Sequence, residues 1–384
     1  MIFTKIEIDN LYCFQDFLLD LTFPKKKVGS TIPDEYLPGR PNFNYKKICV
    51  ISGANASGKT AFGRVLCGIQ NFISRKFLSP HLSEGISNKD RPSTITVEFV
   101  TTNDLRFHKL EVSFDKNDVN IENVRYAGIY LWSLESARAA RKRLDAVFLS
   151  GVRTKGSDFV SYNKLDSEKA KKVDYFLSKS FQGGWMYLLA NRIDASRLEL
   201  PEFLQRDVLE AVLKTFDPSV AAVEDLPSPE DNDRGAFGVK FKNGDYIVVT
   251  RHGKMANDAR FSRGTFESLD VAVFLGRMKS QGQNTTFFLD EQLAYSHSDI
   301  EETVLNTMID HVGSGSQLFF TTHNHSLLDM NLPVHSFVFF RKRGEFTEPV
   351  QPENTFKKND RSLLNAVRND VFKTAPKTIL LDRL

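Results

Sequence analysis

The strongest chemical signal in the chain is the run Gly53-Ala54-Asn55-Ala56-Ser57-Gly58-Lys59-Thr60. It fits the pattern GxxxxGK[ST], and it lies between an apolar stretch, Ile48 to Ser52, and a segment of helical periodicity that opens at Ala61. Glycines at this spacing let consecutive backbone N–H groups turn inward around phosphate oxygens, and a helix starting near Thr60 adds the positive end of its dipole. Lys59 then reaches the β and γ phosphates, and the Thr60 hydroxyl ligates Mg²⁺. A glycine-rich turn that binds nothing has the same pattern, so three later segments have to be weighed with it.

The first of these is Thr286-Phe-Phe-Leu-Asp290-Glu291, an apolar strand that ends in two acids. A strand delivering carboxylates at its C-terminal end, in the same sheet as a phosphate loop, sets them beside the metal and the γ-phosphate. Asp290 is the candidate metal holder with Thr60, and Glu291 the candidate base that orients and deprotonates water. Leu318-Phe-Phe-Thr-Thr-His323-Asn324 is a second apolar strand, whose terminal His323 can hydrogen-bond phosphate or water, or serve the structure alone. Phe261-Ser262-Arg263-Gly264-Thr265 precedes a helical segment, so Ser262 and the Gly264 backbone offer donors to an anion, or a simple helix cap.

The elements that must position these residues read as follows. Ile2 to Ile8 and Phe17 to Phe23 are predicted strands around the bend Asp9 to Phe14, and Pro24 to Lys46, with its Lys25-Lys26-Lys27 triplet, is predicted loop. Apolar residues Phe62, Val65, Leu66, Ile69, Phe72 and Ile73 recur at helical spacing after the phosphate loop. Ser93–Val100, Leu105–Phe114 and Val119–Trp132 read as an antiparallel meander, followed by a helix over Ser136–Leu149. That helix carries Arg138, Arg141, Lys142 and Arg143 on or near one face, either solvated or available to a nucleic acid or partner. Lys164 to Thr215 is predicted mostly helical, Leu226 to Gly235 an acidic linker, and Ala236–Phe241 with Tyr246–Thr250 a hairpin about an Asn-Gly turn. Helix and strand then alternate from Thr265 to Thr322, which implies parallel strands joining the sheet begun at Ile48.

Composition narrows the class. With 384 residues and 41% hydrophobic content the chain can bury one large core or two smaller ones. A formal net charge of +3 gives no case for a nucleic-acid surface, which leaves DNA binding open to local clusters only. Thirty-two phenylalanines, paired at 287–288, 319–320 and 339–340, point to strands covered on both faces. Cys13, Cys49 and Cys67 have neither CxxC spacing nor an even count, so reduced core thiols in a cytoplasmic protein are expected, without zinc or disulfides. No apolar run approaches the roughly 20 residues of a membrane span, and no signal-peptide core opens the chain.

Segment order carries a resemblance. A phosphate loop with an internal asparagine, Ser-x-Gly-Thr at a helix start, an apolar strand ending in Asp-Glu, and a strand ending in Thr-His together resemble the ABC-type ATPase heads of SMC, RecF and OLD-like proteins. Ile6 to Phe14 is similar to the opening of the OLD-like branch, Asp290 to His297 to its Asp-Glu…Leu-His-Pro stretch, and Phe320-Thr-Thr-His323-Asn324 with Leu327-Leu328 to its switch histidine. Ser296 and Ser298 stand where that branch has Leu and Pro. The branch supplies ATPase subunits of anti-phage systems such as PARIS and Septu.

The resemblance implies an α/β, ABC-type head built on a mixed or parallel sheet with an antiparallel meander and a helical insertion. Roughly 200 residues without heptads separate Lys59 from Ser262, which excludes long coiled-coil arms. Residues 1–160 are then the lobe with the phosphate loop and meander, 161–235 the insertion, and 236–384 the lobe with the signature, the acidic strand and the switch histidine. ATP and Mg²⁺ are the implied cofactors. Gly53, Asn55, Ala56, Ser57, Gly58, Lys59, Thr60 and Ala61 hold the nucleotide, and Ser262 and Gly264 meet it from a second head. Glu291, His323 and Lys59 are the implied catalytic residues. Roughly 60 residues follow His323 without a Glu…Asp-x-Asp cluster, so no nuclease is expected in this chain. A homo-oligomer, a separate effector such as a Toprim-type nuclease and a phage-encoded trigger are the implied partners. A RecF-like ATPase that clamps DNA, and a nucleotide-binding module that hydrolyses nothing, are the competing expectations.

Overall fold

The structure is a computed structural model, which describes all residues except 24–29, 76–77, 116–120, 164–166, 181–183, 190–199, 228–234, 252–254, 257–260, 295, 357–361 and 376–384. The chain divides into two units, one of Met1–Tyr187, Asn284–Asp290 and Ser314–Leu384, the other of Leu188–Gln283 and Glu291–Gly313.

In the first unit, β1 (Ile2–Asp9) and β2 (Phe17–Asp20) are antiparallel. Three non-glycine residues of the intervening bend take positive φ: Asn10 at 57°, Tyr12 at 52° and Asp16 at 49°. The Asn10 carboxamide holds the bend, its Nδ2 donating to the carbonyls of Asn88 (2.9 Å) and Arg91 (2.9 Å) while its Oδ1 accepts from Asn88 N–H (2.7 Å). A small hairpin, β3 (Tyr36–Leu37) and β4 (Arg40–Asn44), occupies the stretch expected to be loop. The lysine triplet at 25–27 lies outside the described residues. Next come β5 (Ile48–Gly53), α1 (Lys59–Arg75) and the short α2 (Pro80–Glu84). The meander follows as β6 (Ser93–Thr101), β7 (Arg106–Phe114) and β8 (Ile121–Tyr130), then α3 (Ala137–Ser150), β9 (Ser157–Asn163) and α4 (Ser167–Ser180).

These strands form a sheet in the order β2-β1-β6-β7-β8-β9, in which every neighbouring pair is antiparallel. Strand β9 is absent from the sequence reading, because Ser157-Asp-Phe-Val-Ser-Tyr-Asn163 has too few apolar residues to show an alternation. Helix α3 packs Ala140, Leu144, Val147 and Phe148 against Phe107, Ala127 and Ile129 of the sheet. Ser136 caps its start by accepting from Ala139 N–H at 3.3 Å, and Gly151 ends it at φ 67°.

A second sheet has the order β10-β15-β16-β5-β17-β18. Its first strand, β10 (Gly184–Leu188), interrupts the stretch from Lys164 to Thr215 that is expected to be mostly helical; five residues beginning at a glycine pair carry no helical or strand period of their own. The second unit supplies α5 (Arg206–Phe216), β11 (Val220–Leu226), β12 (Ala236–Phe241), β13 (Tyr246–Thr250), β14 (Met255–Ala256) and α6 (Arg263–Gln281). Its sheet runs β11-β12-β13-β14, and Gly244 makes the expected tight turn at φ 93°. Strand β11 is a further element missed by the sequence reading, and most of the acidic segment after it lies outside the described residues. The chain continues through β15 (Thr285–Asp290), α7 (Ser298–His311), β16 (Gln317–Thr322), β17 (Phe337–Arg343), β18 (Phe346–Val350) and α8 (Leu363–Arg368). Strands β15, β16, β5 and β17 are parallel neighbours, as the alternation of helix and strand implies.

The phenylalanines have a place in this arrangement. Phe62, on the first turns of α1, lies at ring-centroid distances of 5.4 Å from Phe340, 5.8 Å from Phe17, 6.3 Å from Phe288 and Phe319, and 6.5 Å from Phe14. Both sheets of the first unit thus meet the phosphate-loop helix at one ring. All three paired phenylalanine runs are buried, as expected for strands covered on both faces. Among the described residues no helix is long and apolar enough to cross a membrane. The longest helix, α6, has 19 residues, so the described chain has no extended coiled coil. All three cysteines are free; Cys49 is buried, with its thiol pushed up to about 12 by desolvation, whereas Cys13 and Cys67 are half-buried.

Phe62→Ala should destabilise the protein by about 3–5 kcal/mol, the range for deleting a large core aromatic. Urea unfolding measures this, and a loss below about 1 kcal/mol would show that the cluster is not a packed core.

Candidate functional site

Strand β5 runs straight into the phosphate loop. The loop turns through Ala56 at φ 59° and Gly58 at φ 95°, and α1 begins at Lys59 with Phe62 N–H donating to the Gly58 carbonyl at 2.8 Å. A Cβ at Gly58 would lie 2.5 Å from the Cys13 sulfur, and one at Gly53 would lie 2.5 Å from the Phe340 carbonyl oxygen. Glycine is therefore required at both places by contact, and at Gly58 by φ as well. Lys59 is buried at 3% exposure, and its Nζ donates to the carbonyls of Gly53 (2.9 Å) and Ala54 (3.2 Å). The ammonium is thus folded back over the loop it belongs to. Ser57 Oγ is buried and has no hydrogen-bond partner among the described residues. An unpartnered buried hydroxyl, crowded glycines and a lysine over the loop are what a phosphate cradle requires, so the residues present fit a bound nucleotide.

Asp290 ends β15, fully buried, and its Oδ1 accepts from Thr321 Oγ1 at 2.7 Å. Thr321 faces Asp290 across one ladder and Ile51 across the next. One strand, β16, therefore separates the acid from the phosphate-loop strand, a distance of roughly 10 Å at ordinary strand spacing. His323 leaves the end of β16 and lines a cavity of about 760 Å³ together with Gly53, Asn55 and Ser57. Asn324 N–H donates to Thr322 Oγ1 at 2.8 Å and its side chain caps the following 3₁₀ turn, which fixes the backbone on the far side of His323. The first unit thus brings together the loop, Asp290 and His323 at the C-terminal ends of adjacent strands. Ligands in parallel sheets bind at such an edge.

Glu291, Ser262 and Gly264 belong to the second unit. Glu291 takes φ 51°, a left-handed conformation uncommon for glutamate, and its carbonyl accepts from Ala294 N–H at 3.3 Å. Ser262 is exposed and caps α6, its Oγ accepting from Thr265 N–H at 3.2 Å. Among the described residues a Cβ at Gly264 would meet Ser262 Oγ alone, at 3.9 Å. His297 caps α7 through an Nδ1 that accepts from Asp299 N–H at 3.3 Å. Ser298 is then the first helical residue, the position at which proline is over-represented, and α7 starts there with serine in its place.

Comparison with known proteins agrees on the fold. No protein-family model matches the chain, nor does any curated protein. Solved structures do match. An Smc head bound to the C-winged helix domain of ScpA is 12% identical, with a TM-score of 0.49 over 93% of this chain and 100% of that one. The SMC head domain from Thermotoga maritima is 10% identical, with a TM-score of 0.41 over 91% and 99%. An Smc head domain with an extended coiled coil, bound to the C-terminal domain of ScpA derived from Pyrococcus furiosus, is 11% identical, with a TM-score of 0.50 over 96% and 99%. The last of these carries the comparison: the fold is that of an SMC head domain.

Several groups around the phosphate loop are invisible to a reading of the sequence. Lys342, Arg368 and Lys373 line the same cavity, the first on β17 and the others at the end of α8 and beyond. They lie 283 or more residues from Lys59 in sequence and carry no motif; the parallel pairing of β17 with β5 brings Lys342 near, and the stacking of Phe372 on Phe339 at 4.8 Å brings the segment of Lys373. Thr347, at 1% exposure on β18, donates through its backbone N–H to the Cys13 carbonyl at 2.8 Å and through Oγ1 to the Ser57 carbonyl at 2.9 Å. It ties the bend after β1 to the phosphate loop. Thr347→Val keeps the shape and the backbone bond but leaves the Ser57 carbonyl unpaired. It should cost about 1–3 kcal/mol, and Thr347→Ser much less. Equal urea midpoints for the two variants would show that the hydroxyl is not the tie.

Proposed function

We propose that this chain is an ATP-binding and ATP-hydrolysing head that closes against a second copy of itself and thereby controls a separate effector in bacterial anti-phage defence. The observation that carries the nucleotide reading is the convergence of the phosphate loop, Asp290 and His323 at one sheet edge of the first unit. Segment order and the OLD-like motifs support the defence assignment. In this reading the loop N–H groups and Asn55 bind the triphosphate, and Lys59 exchanges its loop carbonyls for phosphate oxygens. Thr60 and Asp290 would hold Mg²⁺, which supplies charge neutralisation at the β and γ phosphates. Thr321 keeps the Asp290 carboxylate fixed. Glu291 orients the attacking water and takes its proton, and His323 hydrogen-bonds the γ-phosphate end. Ser262 and Gly264 are presented to the nucleotide of the other copy, with the positive end of α6 behind them.

Two variants separate binding from turnover. Lys59→Ala removes the main positive charge facing the phosphates, and calorimetry should detect no ATP binding; unchanged affinity would refute the phosphate-loop reading. Glu291→Gln keeps the side-chain shape but removes the base, so ATP should bind while hydrolysis falls by about 10² or more. The ATP-loaded mutant should elute as the closed multimer in chromatography, and a strain carrying it with its neighbouring genes should lose protection in a plaque assay. Wild-type turnover by Glu291→Gln would assign the base elsewhere, His323 first. Full protection from a mutant unable to turn over would remove hydrolysis from the defence cycle.

A further inference from the structure

The basic helix α3 is not a plain solvated face. Arg141 bonds Asp20 (2.7 Å) and Glu98 (2.6 Å) and so points into the sheet. For Asp20, burial alone would raise the carboxyl, but Arg141 outweighs it and holds the pKa below the usual carboxylate range. Arg143 is paired with Glu135 at 2.6 and 2.7 Å, with its guanidinium 3.8 Å from the centre of the Trp132 ring. Around this stacked pair lies a groove of about 490 Å³, walled by Tyr130, Trp132, Ala146, Val147, Val152 and Lys155. Trp132 and Val152 are each 62% exposed and Tyr130 is 50% exposed, with Leu149 on the neighbouring turn of α3 at 76%. Large apolar side chains are seldom left in water together in this way unless something covers them.

Charge identifies what would cover them. Carboxylates on the segments around the groove are already paired within the fold: Glu135 with Arg143, Asp145 with Lys109 at 2.6 Å, which also meets Glu98 at 3.4 Å, and Asp158 with Arg106. Lys142, one turn before Ala146 on α3, and Lys155, in the groove wall, are exposed and have no carboxylate partner among the described residues. The result is an aromatic and aliphatic floor with an uncompensated positive rim. A nucleic acid strand fits this poorly. It needs more phosphate contacts than these two lysines supply, and one face of Trp132 is already taken by Arg143. A short peptide segment with large apolar side chains flanked by aspartate or glutamate matches both the floor and the rim.

We infer that this groove is a docking site for an acidic, apolar segment of a partner protein. Trp132 is its central anchor, pre-oriented by Arg143, and Lys142 and Lys155 select the charge. Identifying that partner with the effector rests on the proposed function; the groove itself does not. The test pans random twelve-residue peptides displayed on phage against the wild-type head. Enriched peptides should combine acids with large apolar residues, and by fluorescence anisotropy they should bind at least tenfold more weakly to Trp132→Ala, to Val152→Asp and to Lys155→Glu. Thermal melts and ATP calorimetry on the same variants should match the wild type, so a failure of the nucleotide reading registers separately from a failure of the groove. Enrichment of basic or neutral peptides, no enrichment, affinity unaffected by the three substitutions, or tighter binding of a labelled twelve-nucleotide thymidine strand would overturn the proposal.

Discussion

The structure depends most on the ring of Phe62. It stands three residues after Lys59, so its position sets where the first turn of α1 points and with it where the phosphate-loop N–H groups aim. Phe288, Phe319 and Phe340 reach it from β15, β16 and β17, and Phe14 and Phe17 from the bend and strand that begin the other sheet. Edge-to-face contacts among so many rings favour a small set of mutual angles. The edge that carries the phosphate loop is therefore oriented by apolar packing alone.

Above that cluster the loop itself is held by contact and by hydrogen bonding together. Cys13 fills the space a side chain at Gly58 would need, Phe340 does the same at Gly53, and Thr347 fastens both the Cys13 and the Ser57 carbonyls. The N-terminal bend is thus a wall of the phosphate loop. Its three positive-φ residues and the Asn10 carboxamide clamp belong to the same requirement, because a relaxed bend would move Cys13 away from the glycine it supports.

Periodicity and motif made a large part of this legible. The phosphate loop, the acid-ended strand, the meander and the Asn-Gly hairpin each announce themselves within about ten residues, where local rules hold. What stayed hidden depends on pairing at long range. Strand β10 is recognisable only from its place beside β15, and β9 only from the ladder to β8. Lys342 and Thr347 reach the loop because β17 lies beside β5 and β18 beside β17, and Arg368 and Lys373 line the same cavity from the far end of the chain, proximities that no spacing in the sequence encodes. The basic run on α3 is one feature in sequence, yet burial divides it: Arg141 serves the sheet, Arg143 serves Trp132, and Lys142 remains at the surface.

The place of β16 has a mechanical consequence. Hydrogen-bonded on one side to β5 and on the other to β15, it acts as a spacer between the strand that feeds the phosphate loop and the strand that ends in Asp290. Sliding either strand past it would break a full ladder, so the separation of loop and acid behaves as a fixed gauge. The segments that leave the strand ends, beginning at Glu291 and His323, lie outside these ladders and carry no such constraint from them.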